Sequence, residues 1–304
     1  MRPLCAECKL YASLLLLLCL CMSSCEKEVH IDLPSAEPQL VVDGFIETNQ
    51  PPVVVLTKSI GYFAKIDLSN FVNSFVHDAV ITVDDGVSTV TLKEYALDTG
   101  GSFRFYVYSL DSADQHSFSF LGKVNTTYKL TITADGKTYE STTRIPDCKP
   151  IDSLAALVPD RPDPNLPARR LLNVFYTDPD TPGNCIRYFT RRNSEPFYTA
   201  DNSVYDDGLV NGAVSARLPL FLGYDRNTKT NDTTGYLFPG DTVTLKWCAI
   251  ERPVFNFYTT LEYSVTNTGN PFTSPINVRT NISNGALGIW AGYGTTYATL
   301  VVKE

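Results

Sequence analysis

The sequence predicts an all-β protein whose folded part consists of two β-sandwich-like domains. The chain is rich in residues that favour strands, with 17 Tyr and 16 Phe but only 2 Met. Short apolar runs bounded by Gly, Pro, Asn or Asp recur about every 10 to 20 residues along the first half. That half shows no sustained helical period, apart from a short helix or loop predicted over Leu68 to Phe75.

The first predicted domain, residues 39–147, has the strand spacing of a sandwich, and we expect it to be immunoglobulin-like or transthyretin-like. Its strongest local signal is Asp135-Gly136, because this dipeptide between two apolar runs favours a two-residue hairpin turn. The strand signals before that turn lie at residues 39–47, 53–57, 79–83, 89–92, 103–108 and 127–134.

The second predicted domain, residues 148–304, follows the segment Ile145 to Pro150. Two prolines in this segment interrupt both a helix and a strand ladder, so the domain boundary is placed there. Phe255 to Ser264 predicts one short helix, because its apolar side chains recur at helical spacing. The remaining signals are strands, at residues 151–158, 171–177, 185–191, 242–250 and 296–302.

Residues 1–24 have the composition of a signal peptide. Arg2 and Lys9 precede an apolar run that is too short to span a bilayer. The order Met22-Ser23-Ser24-Cys25 resembles a lipobox, so we expect acyl chains on Cys25 to anchor the mature protein to a membrane. The alternative is an ordinary secretory leader that is cut nearby without lipidation. Residues 25–38 are charged and proline-bearing, and they predict a tether.

Composition excludes some partners. The formal net charge of -8 argues against nucleic acid and against anionic lipid headgroups, because both select for clusters of Lys and Arg. The sequence contains no such cluster.

Catalytic motifs are absent from the sequence, which lacks a nucleophile elbow, a zinc-protease motif and a phosphate-binding loop. The 3 histidines, His30, His77 and His116, have no recognisable partner motif. The sequence therefore predicts a non-enzymatic protein without a cofactor.

Neighbouring aspartates lie beside Gly or Pro at three places, where they indicate turns, because Asp bonds to the nearby backbone. These are Asp84-Asp85, Asp178 with Asp180, and Asp206-Asp207. A calcium loop of Asp178, Asp180 and Asn184 is the alternative, since grouped oxygen ligands suit that ion. Their spacing departs from the EF-hand pattern, and no other metal site is expected.

Three cysteines follow Cys25 in the mature part: Cys148, Cys185 and Cys248. Export places them in an oxidising compartment, where one disulfide and one free thiol are compatible with their number. We expect Cys185 to pair with Cys248, since both lie in strand-like runs of the same half. Three separate thiols are the alternative.

Aromatic residues in loop-like segments raise a sugar-binding platform as an alternative to core packing. The predicted ligand is accordingly a glycan or a peptide. The residues concerned are Tyr62, Phe63, Phe71, Phe75, Tyr198 and Tyr205.

An ordered set of segments resembles a Bacteroidota outer-membrane lipoprotein family, the domain of unknown function 4249. In the first half these are Cys25 to Glu28, Ile31 to Pro34, Leu40 to Glu47, Ile145-Pro146 and Ile151 to Ser153. In the second half they are Asp178 to Asp180, Gly183-Asn184, Arg187 to Phe189, Gly240 to Val243, Asn270 to Phe272, Pro275, Asn277, Asn281-Ile282 and Leu287-Gly288.

The resemblance implies a lipoprotein that assists a TonB-dependent receptor of the SusC type in nutrient capture, and it supplies no catalytic residues. Cys185 and Cys248 depart from the family's pattern, which favours a disulfide private to this chain. We therefore expect a binding protein anchored to the outer membrane and exposed at the cell surface, with the periplasmic face as the alternative location. The alternative function is a structural or adhesive protein that engages another protein through unpaired edge strands.

Overall fold

The computed structural model describes residues 37–303, apart from 62–66, 99, 102, 115–118, 167, 209–210, 271 and 275. The predicted signal peptide, the lipidation site Cys25 and nearly all of the tether lie outside the described residues. Neither helix in the described part of the chain is long and apolar enough to cross a bilayer.

The fold is mainly β, as the sequence predicts, with fourteen strands and two short helices among the described residues. The first half contains β1 (Leu40–Glu47), β2 (Val53–Lys58), α1 (Leu68–Val72), β3 (Val80–Asp84), β4 (Thr89–Asp98), β5 (Arg104–Leu110), β6 (Thr127–Ala134) and β7 (Lys137–Arg144). The second half contains β8 (Ser153–Leu157), β9 (Leu171–Tyr176), β10 (Cys185–Arg192), β11 (Val204–Asp206), β12 (Ala216–Leu220), β13 (Thr242–Ile250), α2 (Arg252–Thr266) and β14 (Leu287–Val301).

Eleven strands form one sheet in the order β11-β10-β13-β14-β1-β2-β5-β4-β3-β6-β7, and β12-β9-β8 form a second, smaller sheet. β14 pairs in parallel with β1, although the two strands lie at opposite ends of the folded chain. The predicted hairpin turn is present between β6 and β7, where Asp135 and Gly136 have φ of 49° and 72°. Both values lie in the left-handed region that such a turn requires.

The four strands β10, β13, β14 and β1 have two different faces, because successive side chains of a strand point to opposite sides. The inner face carries Trp247 and Trp290, both fully buried. Trp290 lies in the core of the first half, where its Nε1 donates to the Tyr128 carbonyl at 3.1 Å. Trp247 lies in the core of the second half, against the three-stranded sheet. The outer face packs partly against α2.

The two halves of the chain share this sheet. The segment after β7 packs along β14, where a Cβ on Gly294 would come within 1.9 Å of the Pro146 carbonyl oxygen. Ile145 is fully buried in the core of the first half. The residues from Pro38 onward form one compact unit, and the division of that unit at residue 148 stays a prediction.

Candidate binding site

A cleft of about 540 Å³ opens where α2 meets the outer face of the central strands. We call it the charged cleft. Residues of β1, β10, β13 and β14 line it together with residues of α2. Its charged side chains are Asp43, Arg187 and Lys246, and its aromatic side chains are Phe45, Phe189, Phe257, Tyr258 and Tyr293. This volume is in the range of pockets that hold small organic ligands.

Strand register places the three charges on one side of the sheet. Arg187 lies opposite Cys248, Lys246 lies opposite Phe189, and Asp43 lies opposite Ile289. Because residues paired across a ladder share a face, these side chains all project from the outer face.

Arg187 carries its charge without a carboxylate in ion-pair distance among the described residues. Its Nη1 donates to the Tyr293 hydroxyl at 2.7 Å. Its Cζ lies 3.3 Å from the ring centroid of Tyr258 and 4.7 Å from that of Phe189. Its buried Nε has no hydrogen-bond partner in the described part of the chain. Ring faces therefore stabilise a guanidinium that remains incompletely hydrogen-bonded.

Lys246 is held differently, in an ion pair with Glu47 whose side chains are only 16% and 6% exposed. Tyr297 donates its hydroxyl to the other oxygen of Glu47 at 2.8 Å. The Lys246 ammonium also lies 5.1 Å from the ring centroid of Phe189. Lys246 thus has an ion-pair partner within the protein, whereas Arg187 has none among the described residues.

Asp43 is exposed on the opposite side of the cleft, on β1. Although the residue is exposed at the surface, the protein around its carboxyl partly desolvates that group and raises its pKa, and the positive charge of Arg187 opposes the shift. The two groups therefore interact, yet they form no ion pair. A negative and a positive group face the same opening without touching.

Glu262 of α2 is the other carboxylate near Arg187. Its Oε2 accepts a hydrogen bond from the Ser203 backbone N–H at 2.9 Å, and its Oε1 accepts one from the Ser203 hydroxyl. Burial raises the pKa of Glu262, and these bonds and the charge of Arg187 oppose the shift. Glu262 therefore attaches α2 to the segment before β11 and is already occupied by Ser203.

The charged cleft has the chemistry of a binding site. It combines fixed charges with ring faces on regular secondary structure, which holds them in place. Its described lining contains no histidine, serine or cysteine that would serve as a nucleophile or base.

A second opening, of about 500 Å³, lies among the loops of the second half. We call it the aromatic groove. Phe221, whose residue surface is 52% exposed, lines it together with Tyr224. The Tyr224 hydroxyl and Arg226 Nη1 both donate to Asp201 Oδ1, at 2.8 and 2.9 Å. The other lining residues that offer polar or aromatic groups are Tyr188, Tyr205, Asn202, Thr230, Asn231 and Thr234.

The aromatic residues that the sequence proposes for a sugar platform are dispersed. Tyr205 lines the aromatic groove and stacks on Tyr188 with ring centroids 5.9 Å apart, and Tyr198 lines an adjoining depression. Phe75 is buried against Phe105 at 5.2 Å, so it belongs to the packing of the first half. Phe71 contacts Phe75 at 5.4 Å. Tyr62 and Phe63 lie outside the described residues.

Two of the three calcium-loop candidates are engaged in hydrogen bonds to the backbone. Asp178 Oδ2 accepts from the Gly212 N–H at 3.2 Å, and the Asn184 side-chain amide donates to the Thr181 carbonyl. Asp180 is exposed. Within the described residues, no group of three or more His, Cys, Asp or Glu side chains is arranged to hold a metal ion.

The predicted disulfide between Cys185 and Cys248 is not formed, and both thiols are free, as is that of Cys148. The strand register explains this difference. Cys185 lies opposite Ile250, and Cys248 lies opposite Arg187, so the two cysteines are diagonal neighbours. Diagonal residues of an antiparallel pair are about 7 to 8 Å apart, which exceeds the usual Cα separation of a disulfide.

Sequence reasoning missed Asp43, Arg187, Lys246 and Glu47 as members of one site. A local signal was present, since each is a charged residue inside a strand-like apolar run. The four residues come together only through the pairing of β1 with β14, of β14 with β13 and of β13 with β10.

Comparison with known proteins gives a single assignment. No curated protein matches the chain. The model of a family described as a domain of unknown function, DUF4249, matches residues 26–298. This range contains both the charged cleft and the aromatic groove, and the chain belongs to the DUF4249 family.

Proposed function

We propose that this protein is a lipid-anchored outer-membrane protein that binds a small ligand and delivers it to a TonB-dependent, SusC-like receptor, without catalysing a reaction. The unpaired guanidinium of Arg187 carries the proposal. A partly buried cation that has no carboxylate within ion-pair distance among the described residues, and whose buried Nε has no hydrogen-bond partner there, has charge and a hydrogen bond available for a ligand. The position of this cation in a cleft of about 540 Å³ supports a small organic ligand.

The anchoring part of the proposal is supported by the leader sequence. The apolar run before Cys25 and the charged residues after it have the order of a lipoprotein signal and tether. The family match begins directly after Cys25, at residue 26.

Protease shaving of intact cells, combined with co-purification of the tagged protein in mild detergent, tests location and partner. We expect cleavage on intact cells and recovery of a TonB-dependent receptor. A Cys25→Ala variant should leave the membrane fraction. A protein that is protected from protease and purifies alone would place it on the periplasmic face and argue for a structural role.

Uptake tests the binding role. A deletion strain complemented with the Arg187→Met variant should accumulate less of the nutrient than a strain complemented with the natural protein. Arg104→Met is the matched control, because Arg104 is exposed on β5 and lies outside the cleft. Equal uptake by the two variants would count against the cleft as the binding site.

A glycan is the second candidate ligand, and the aromatic groove favours it. Asp201 Oδ2 and the Asn202 amide make no hydrogen bond within the described residues. These groups lie beside the half-exposed ring of Phe221, and sugars combine hydroxyl groups with apolar ring faces. Binding of neutral oligosaccharides that is abolished by Phe221→Ala would favour this ligand.

The alternative function is adhesion through open strand edges. One edge of the large sheet is covered, because the Glu140 carbonyl of β7 accepts from the Ser283 N–H at 2.9 Å. The Ser141 hydroxyl also donates to the Asn281 carbonyl at 2.9 Å. Strand addition would therefore use β11 or the outer strands of the smaller sheet. Cell aggregation that depends on the protein, without any uptake defect, would favour this alternative.

A further inference from the structure

The charged cleft has a property that a site for a simple anion lacks. Arg187 faces it from β10, and Asp43 faces it from β1, three strands away in the sheet. These opposite charges interact across the opening without forming an ion pair. A simple anion would pair with Arg187 but would be repelled by Asp43. A simple cation would have the reverse effect.

The lining between the two charges is apolar. Phe45, Phe189, Leu261 and Ile289 contribute rings and aliphatic groups. Lys246 is the remaining cation, and Glu47 neutralises it. A neutral sugar would leave Arg187 unpaired, and a fatty acid would bring its carboxylate past Asp43 without giving that aspartate a partner.

Building on the proposed function, we propose that the ligand of the charged cleft is a small zwitterion with an apolar side group, namely an apolar α-amino acid or a short peptide of such residues. Its carboxylate binds Arg187, its ammonium binds Asp43, and its side chain packs on the apolar lining. The volume of about 540 Å³ accommodates a dipeptide or tripeptide. Charge-assisted hydrogen bonds at both ends select free termini over capped ones.

Isothermal titration calorimetry on the full lipidated chain in detergent tests the proposal. The probes are leucine, phenylalanine, leucyl-leucine and leucyl-leucyl-leucine, with the N-acetyl and the C-terminal amide forms of leucyl-leucine. We expect each cap to weaken binding of leucyl-leucine by about tenfold to a hundredfold, because it removes one charge-assisted contact.

Two variants test which residue binds each terminus of the dipeptide. In Asp43→Asn, the free and N-acetylated dipeptides should bind with equal affinity. In Arg187→Met, the free and amidated dipeptides should do so. Asp43 is exposed, so its variant should fold normally. Arg187→Lys provides a second test at the more buried site, because it keeps the charge and should retain part of the preference for a free carboxylate. The matched control Arg104→Met should keep the full discrimination.

Two results would overturn the inference. One is equal binding of free and capped dipeptides to the natural protein. The other is no binding of any of these probes. If a TonB-dependent receptor still co-purifies in either case, the proposed function stands and only the ligand class is wrong. If zwitterions bind as expected but no receptor is recovered and uptake is normal, the cleft assignment stands and the transport role fails.

Discussion

The charged cleft and the aromatic groove are of similar size but are built differently. The cleft lies on four paired strands and α2, and its Lys246–Glu47 pair is largely shielded from solvent. The groove lies mainly on the loops around β11 and β12, and the Arg226–Asp201 pair at its edge has side chains that are 41% and 50% exposed. The cleft therefore has fixed charges that select a ligand by its charge pattern. The groove has hydrogen bonds that are set by exposed side chains on loops, which position them less firmly than paired strands do.

The largest expected effect is on stability. Glu47→Ala leaves Lys246 buried without its partner, and we expect the free energy of unfolding to fall by about 3 to 5 kcal/mol. Asp201→Ala breaks an exposed pair and should cost less than about 1 kcal/mol. Urea denaturation, followed by the fluorescence of Trp247 and Trp290, measures both values.

A double variant separates lost charge pairing from lost packing. Glu47→Leu combined with Lys246→Met removes both charges and should restore most of the stability. If Glu47→Ala is no more destabilising than Asp201→Ala, solvent reaches Lys246. The contrast between a shielded ion pair in the cleft and an exposed one at the groove is then wrong.

The thiols next to the cleft provide a second measure of how closed this region is. Burial raises the pKa of Cys248 to about 12 and the pKa of Cys185 to about 11. Few molecules carry a thiolate at pH 8, so alkylation by iodoacetamide should be at least about a hundredfold slower than in urea. Peptide mapping by mass spectrometry measures each site. Rapid labelling of Cys248 in the folded protein would show that the sheet opens beneath the cleft.

Binding of a zwitterionic ligand in the cleft should depend on pH. The pKa of Asp43 is raised, so its carboxylate is lost on acidification at a higher pH than in an ordinary aspartate. Because the ammonium of the ligand requires that carboxylate, the affinity for leucyl-leucine should fall as the pH is lowered. The other ionisable groups facing the cleft are Arg187, Lys246, Tyr258 and Tyr293.

Asp43→Asn isolates the contribution of Asp43 to this pH profile. The variant should bind more weakly at neutral pH and should lose the decline on acidification. A decline of unchanged size in the variant would assign it to another group and would contradict the role of Asp43.

Local sequence signals predicted most of the strands, because the residue pattern within a strand and the turn residues beside it are short-range features. The strand at residues 242–250 has the predicted limits. The predicted helix extends three residues further towards the N-terminus and begins at Arg252, with a proline in its first turn. β12 was missed because Pro219 interrupts its pattern, which is tolerated at the edge of a sheet. The parallel pairing of β1 with β14 has no local signal, since more than two hundred residues separate the strands.

The candidate site was less predictable than the fold for the same reason. Tyr205 was identified because the sequence predicts an aromatic residue in a loop-like segment there; it lies on the short strand β11 instead, and it lines the groove. Arg187 and Asp43 lie within the segments that carry the family resemblance, but their shared role depends on long-range pairing. The disulfide between Cys185 and Cys248 was compatible with the sequence, but the strand register places the two cysteines too far apart to form it.

Phe221→Ala in the groove should change stability only slightly. Phe221 is half-exposed and packs edge-to-face on Tyr236 with ring centroids 5.5 Å apart. Since truncation of a fully buried Phe to Ala costs about 3 to 5 kcal/mol, Phe221→Ala at this half-exposed position should cost only about 1 kcal/mol. The affinity of Phe221→Ala for leucyl-leucine shows which of the two regions binds the dipeptide. If the cleft is the peptide site, that affinity should be unchanged. The two substitutions alter separate surfaces. If Phe221→Ala lost dipeptide binding while Arg187→Met bound the dipeptide normally, the groove and not the cleft would be the dipeptide site.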